Sequence, residues 1–174
     1  MDIKGSTGDR YTGLILLSGI DNPGILSALF ATLEPFSITI LDIEQIINRS
    51  RLILTVLIEL DPAHSGAIES DLDECARTLG VDMAISFSHQ STESITHKSG
   101  LITVIACAAQ ISPGAIAAIA SNIANAGGNI ERIHRSTSEP FVTIEFAVSG
   151  SNNETLLKAF GSTKEKHELE ITIG

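Results

Sequence analysis

The sequence predicts an α+β protein made of two ferredoxin-like β-α-β-β-α-β units in tandem, each an antiparallel sheet with helices on one face. Two observations support this fold class. First, the chain matches itself at an offset of 90 residues, so that Pro23-Gly24 falls on Pro113-Gly114 and Ile40 falls on Ile130. Second, strand and helix periodicities follow one another in the same order in both copies.

The first copy shows the element order clearly. Residues 14–19 are a short apolar run that predicts a strand, and a helical stripe follows Pro23. Residues 38–48 and 52–60 are rich in β-branched side chains and flank a polar tip, which predicts a hairpin supplying the two central strands. A second helical stripe ends at Gly80, and an alternating strand follows it.

The second copy repeats this order. It begins with a strand over residues 101–107 and a helical stripe from Ile116 to Ala126. A hairpin turning near Ser138-Glu139-Pro140, a helix over 154–160 and a strand over 169–173 complete it. The two copies therefore predict two domains of one fold.

The domain boundaries follow from a polar stretch between the copies. Residues 90–100 are polar and carry no periodicity, which is typical of a linker. The first domain is expected over residues 12–89 and the second over 101–174.

One strand departs from simple alternation in both copies. Ile40 and Ile43 differ in parity and cannot both face inward on a regular strand, and the same holds for Ile130 and Ile133. This spacing predicts a β-bulge or a late strand start at the same place in each copy.

Composition limits the function. The 174 residues are 43% hydrophobic without an apolar run near membrane-spanning length, so a globular protein that does not cross a membrane is expected. With 11 basic and 21 acidic residues, the net charge of −10 disfavours nucleic acid and anionic membranes as partners. Two cysteines far apart and an N-terminus unlike a secretory signal indicate the cytoplasm.

No catalytic, metal or cofactor site is expected in this chain. Walker, dinucleotide and nucleophile-elbow motifs are absent from the sequence. The Asp71-Leu72-Asp73 triplet lies on the polar face of a predicted helix, and the five histidines lack metal-ligand spacing.

The loop Asp21-Asn22-Pro23-Gly24 allows two interpretations. Asn22 can cap the following helix with Pro23 at its first position, as Ser112-Pro113 does in the second copy. Capping does not require Asp21, however. A helix N-terminus favours a carboxylate and Asp21 favours an ammonium group, so the loop could instead hold an amino acid.

These residues resemble a known family. Residues 19–24 after an apolar strand, on a duplicated β-α-β-β-α-β frame, look like a pair of ACT domains. More narrowly, residues 38–60 and 129–150 resemble the N-terminal tandem ACT region of actinobacterial-type phosphoserine phosphatases.

The resemblance implies a regulatory role. It implies that L-serine binds where ACT domains meet, that the chain forms a homodimer, and that the ligand-binding residues are Gly19, Asp21, Asn22 and Gly24. It also implies a magnesium-dependent haloacid-dehalogenase-type phosphatase domain in cis, beyond this chain. The second copy has Ala109 and Ile111 in place of Gly19 and Asp21, which argues against an equivalent second site.

Two other functions fit the same residues. The chain could be a freestanding tandem ACT regulator, similar to the accessory repressor proteins of glycine cleavage. It could also be a purely oligomerising module, since exposed sheet edges pair easily.

Overall fold

A computed structural model describes residues 10–90, 100–138 and 140–174. The chain forms two compact units, the first containing residues 10–90 and the second residues 100–174. The linker expected at 90–100 lies outside the described residues except at its two ends, so the domain boundaries stay predictions. No helix in the described ranges is long and apolar enough to cross a membrane.

The first unit contains four strands and two α-helices in the predicted order, with a short 3-10 turn before the second helix. The elements are β1 (Arg10–Ile20), α1 (Ile25–Leu33), β2 (Thr39–Asn48), β3 (Arg51–Glu59), α2 (Ser65–Leu79) and β4 (Asp82–Gln90). Gly80 ends α2 in the left-handed conformation (φ 67°), as the sequence predicts.

The sheet of the first unit is antiparallel with the strand order β2-β3-β1-β4. The hairpin prediction is confirmed: Arg49 and Ser50 both have positive φ, as a two-residue turn of the kind that fits strand twist requires. The prediction that both hairpin strands are central is wrong. β2 lies at the edge, because β3 pairs with β1 on its other side.

Both helices pack on one face of this sheet. The core joins the inward side chains of β1 and β3, such as Ile15, Leu17 and Val56, to Leu29 of α1 and Ile68 of α2. Alternation along β1 and β3 places every second residue in this core, because successive strand side chains point to opposite faces.

The second unit repeats the first with the strand order β6-β7-β5-β8. Its elements are β5 (Ile102–Ala108), α3 (Pro113–Asn125), β6 (Asn129–Ser138), β7 (Phe141–Ser149), α4 (Asn153–Ala159), α5 (Gly161–His167) and β8 (Glu170–Ile173). The predicted hairpin turn includes Glu139, which lies outside the described residues. α5 was not predicted, because its sequence is polar and only Thr163 is buried.

The expected irregularity is confirmed as a bulge in both units. The register of β2 shifts between Ile40 and Asp42, and that of β6 shifts at the equivalent place, between Ile130 and Arg132. As a result, Ile40 lies opposite Ile58, and Ile43 lies opposite Val56. The two partners on β3, Ile58 and Val56, are buried. The bulge therefore places residues of opposite parity on the same face.

Candidate functional site

The loop between β1 and α1 carries the predicted binding residues and is fastened to the neighbouring hairpin. The Asp21 backbone N–H donates a 3.0 Å hydrogen bond to the Ser50 carbonyl in the β2–β3 turn. Asp21, Asn22, Pro23 and Gly24 are all exposed. The loop is thus held at its backbone while its side chains face solvent.

The helix after this loop begins without a side-chain cap. Gly24, and not Asn22, occupies the N-cap position, with φ 96° and ψ −12°, and α1 starts at Ile25. The prediction that Asn22 caps the helix is therefore wrong, as is the placement of Pro23 at its first position. A left-handed N-cap suits glycine, since any Cβ would be strained there.

The start of α1 leaves hydrogen-bond donors free. Its first backbone bond runs from the Ala28 N–H to the Gly24 carbonyl, at 3.0 Å. The preceding N–H groups, those of Ile25, Leu26 and Ser27, have no acceptor inside the helix. Within the described residues, the side chains of Asp21 and Asn22 have no hydrogen-bond partner either.

In the second unit, residues of the equivalent loop cap the helix and pack against the core. Ser112 caps α3, because its Oγ accepts the Ala115 N–H at 3.2 Å, and Pro113 occupies the first turn. Ile111, at the position of Asp21, packs against the core of the second unit. The capping interpretation is thus confirmed for the second loop.

Gly19 has a packing role. It is buried in β1, and a Cβ built on it would lie 2.7 Å from Cγ1 of Val81, closer than side chains can approach. Of the four predicted binding residues, Gly19 therefore lies inside the unit, whereas Asp21, Asn22 and Gly24 lie in the exposed loop.

Two arginines flank the loop. The sequence alone did not assign either of them to the site. Arg51 lies opposite Ile20 in the β1–β3 pairing, and Arg49 precedes the Ser50 carbonyl that binds the loop. Both are exposed. Only the order of strands in the sheet brings this hairpin tip to the loop, so the local sequence carries no signal of it.

The other candidates do not form sites. Asp71 and Asp73 are exposed on α2, as predicted for a solvated helix face. In the parts of the chain that the structure describes, no group of three His, Cys, Asp or Glu side chains could hold a metal ion. Two open grooves of about 450 and 460 Å³ lie on the first unit beside the ends of α2 and α1, and the lining of the first includes Val81, which packs against Gly19.

Comparison with known families assigns the class of the first unit. Residues 12–86, which include the loop and the whole βαββα frame, match the family model described as ACT domain. The first unit thus matches the ACT domain over nearly its whole length, and the second unit repeats its strand order.

More particularly, the chain is similar to phosphoserine phosphatases. It is 32% identical over 168 residues to the phosphoserine phosphatase of Streptomyces coelicolor, covering 96% of this chain and 40% of that enzyme. It is 33% identical over 142 residues to the phosphoserine phosphatase SerB2 of Mycobacterium tuberculosis, covering 80% of this chain and 34% of the relative. The chain thus spans less than half the length of these relatives.

Solved structures share the whole tandem fold. A crystal structure of an unknown protein from Galdieria sulphuraria has a TM-score of 0.73 at 16% identity, covering 95% of this chain and 98% of that one. A structure provisionally assigned as a glycine cleavage system transcriptional repressor has a TM-score of 0.72 at 16% identity, covering 95% and 96%. At this identity, the likeness concerns the fold alone.

Proposed function

We propose that this chain is an amino-acid-sensing regulatory region of a phosphoserine phosphatase, with L-serine as its ligand and the loop between β1 and α1 as its site. The observation that carries the proposal is the uncapped start of α1 beside the unpartnered side chains of Asp21 and Asn22. The counterpart at Ser112 is capped by its own side chain, whereas the polar side chains of this loop stay available to a ligand.

The chemistry of the loop suits a small zwitterion. The free N–H groups at the start of α1 and the positive end of the helix dipole favour the ligand carboxylate. The Asp21 carboxylate favours the ligand ammonium. The Asn22 amide can donate a hydrogen bond to the side-chain hydroxyl of the ligand or accept one from it. Arg49 and Arg51 add positive charge beside the loop, which favours the carboxylate further.

The required affinity is modest. A metabolite sensor working between micromolar and millimolar concentrations needs a binding free energy of roughly −4 to −8 kcal/mol. Charge-assisted hydrogen bonds at both ends of the ligand are sufficient for this range after ordering costs.

The catalytic activity is assigned to another part of the protein. The similarity to two phosphoserine phosphatases, of which this chain covers 34–40%, supports a phosphatase domain in cis that binds magnesium and hydrolyses phosphoserine. This chain would contribute regulation and homodimerisation and would bind neither metal nor cofactor. The two free cysteines, Cys75 and Cys107, support a cytoplasmic location.

The freestanding regulator is the less supported function. Its structural counterpart shares 16% identity, whereas the phosphatases share 32–33%. Reading the coding sequence beyond Gly174 separates the two: an apolar strand followed by Asp-x-Asp supports the phosphatase, and an immediate stop codon supports the regulator.

Isothermal titration of the chain with L-serine, glycine, phenylalanine and phosphoserine tests the proposal. We expect saturable heat with L-serine, and an affinity lowered about tenfold or more in Asp21→Ala, because the ligand ammonium loses its charged partner. Asp71→Ala is the matched control, since it removes an exposed carboxylate of the same unit away from the loop.

The absence of heat with every amino acid, from a folded chain, would contradict ligand sensing. Equal affinity in the wild type and Asp21→Ala would leave sensing intact and contradict this site.

A further inference from the structure

The turn between β2 and β3 holds a backbone conformation that its own residues disfavour. Arg49 and Ser50 both have positive φ, of 49° and 67°. A two-residue hairpin turn needs this conformation, and Asn-Gly is the pair that adopts it most readily, because most other side chains are strained there. A strained turn persists where neighbouring contacts hold it in place, and such turns are common at ligand-binding and switch regions.

One of the contacts that hold this turn comes from the loop that carries Asp21. The Asp21 N–H donates a 3.0 Å hydrogen bond to the carbonyl of Ser50, the second residue of the turn. Beside it, Ile20 pairs with Arg51 at the end of the β1–β3 ladder. The loop therefore leaves the sheet at the turn, and the backbone geometry of each depends on the other. All of these contacts lie within the first unit.

The hydrogen bond to Ser50 involves a residue of the proposed ligand site. The side chain of Asp21 is proposed to bind the ligand ammonium, and the backbone of Asp21 is bonded to the turn. The ligand carboxylate is proposed to meet the N–H groups at the start of α1, which the helix holds in place. Because a small zwitterion has a fixed length, both of its ends bind only when the Asp21 backbone keeps its distance from the helix. The turn therefore preorganises the site.

β2 is the element of the first unit that can respond most readily to a change in the turn. It lies at the edge of the sheet and pairs with β3 alone. None of its side chains belongs to the buried core of the first unit, whereas β3 contributes Leu52, Leu54, Val56 and Ile58. A strand with few buried contacts opens more easily than the strands of the core.

We infer that Ser50 is a positioning residue for the ligand loop, and that ligand binding at Asp21 stabilises the β2–β3 hairpin through the hydrogen bond between these residues. This inference rests on the proposed function and adds a route by which binding reaches a second element. The coupling is reciprocal. A ligand that strengthens the hydrogen bond slows the opening of the hairpin, and a change in the turn that weakens the hydrogen bond lowers the ligand affinity.

Hydrogen exchange of the whole 174-residue chain, with and without saturating L-serine, tests the coupling. β4 is the matched control, because it is the other edge strand of the same sheet and pairs with β1 alone. We expect L-serine to slow amide exchange about tenfold more in β2 than in β4. Equal slowing in the two edge strands would show general stabilisation by the ligand and would overturn the inference, as would unchanged exchange in β2.

Two substitutions of Ser50 test its positioning role by titration with L-serine. Ser50→Pro fixes φ near about −65° and cannot adopt the observed 67°, so we expect the hydrogen bond to be lost and the affinity to fall about tenfold. Ser50→Gly adopts the observed φ without strain, so the affinity should be retained or rise. A turn with a merely structural role would leave the dissociation constant the same in both variants, and that result would overturn the positioning role.

The outcomes separate this inference from the proposed function. Circular dichroism establishes whether each variant is folded. The exchange comparison uses the wild type alone, so it tests the inference even if Ser50→Pro does not fold. Binding of L-serine without selective protection of β2 would overturn the inference and keep the proposed ligand. The absence of L-serine binding by the wild type would overturn both.

Discussion

At the scale of single residues, Gly19 at the end of β1 and Gly24 in the loop after it serve different purposes. Gly19 has no room for a Cβ because Val81 occupies that space. Gly24 has open space around it and is a glycine because of its left-handed backbone. The sequence identifies both as unusual, but the neighbour that fixes Gly19 is 62 residues away and could not be predicted from it.

The packing role of Gly19 predicts a specific pattern of stability. Gly19→Ala should destabilise the chain by about 1–3 kcal/mol through overpacking. Val81→Ala should recover part of this loss when combined with it, giving a favourable coupling energy, because the two groups compete for one space. Denaturant unfolding of the two single variants and the double variant measures it. Unchanged stability in Gly19→Ala together with lost serine binding would instead make Gly19 a ligand contact.

At the scale of elements, the two helix starts show how much the local sequence could predict. Both loops carry a polar residue before proline and glycine, and the sequence predicts a cap for each. The cap forms in the second unit, where Ser112 accepts the Ala115 N–H, and not in the first, where the chain turns through Gly24. The hydrogen bond from the Asp21 N–H to the Ser50 carbonyl joins residues far apart in the sequence, so a local sequence pattern does not predict it.

This difference predicts that matching substitutions at the two helix starts change stability by different amounts. Ser112→Ala should lower stability by about 1 kcal/mol, because a helix cap is lost. Asn22→Ala should change stability by less than about 0.5 kcal/mol, because its side chain caps nothing. Thermal unfolding of both variants checks this. A loss of stability in Asn22→Ala as large as that in Ser112→Ala would show that Asn22 caps α1 in solution.

Regular elements were predictable because their periodicity is local. The bulge in β2 was predictable too, since Ile40 and Ile43 have opposite parity and lie on one face only if a residue is inserted. The edge position of β2 was not, because strand order depends on the pairing of β1 with β3. The polar helix α5 was missed since it presents no apolar stripe.

At the scale of the whole molecule, duplication has produced two units with one frame and divergent surfaces. The first has a loop without a side-chain cap, and the second has a capped loop. The strand order and bulge position are shared. The proposed ligand site thus belongs to the first unit.

Ligand binding should be visible in the stability of the whole chain. A ligand that binds only the folded state at a hundred times its dissociation constant contributes about 2.7 kcal/mol. We therefore expect L-serine to raise the thermal midpoint of the wild type by several degrees and that of Asp21→Ala much less. Differential scanning fluorimetry measures the shift, with Asp71→Ala as control. An equal rise in wild type and Asp21→Ala would place the ligand elsewhere.

The central claim is that the free donors at the start of α1 hold the ligand, and an amide NMR titration with L-serine tests it most directly. We predict saturable shifts at Ile25, Leu26 and Ser27, and small ones at Ala115 and Ile116, the corresponding helix start of the second unit. The absence of shifts at residues 21–27, or equal shifts in both helix starts, would contradict the account.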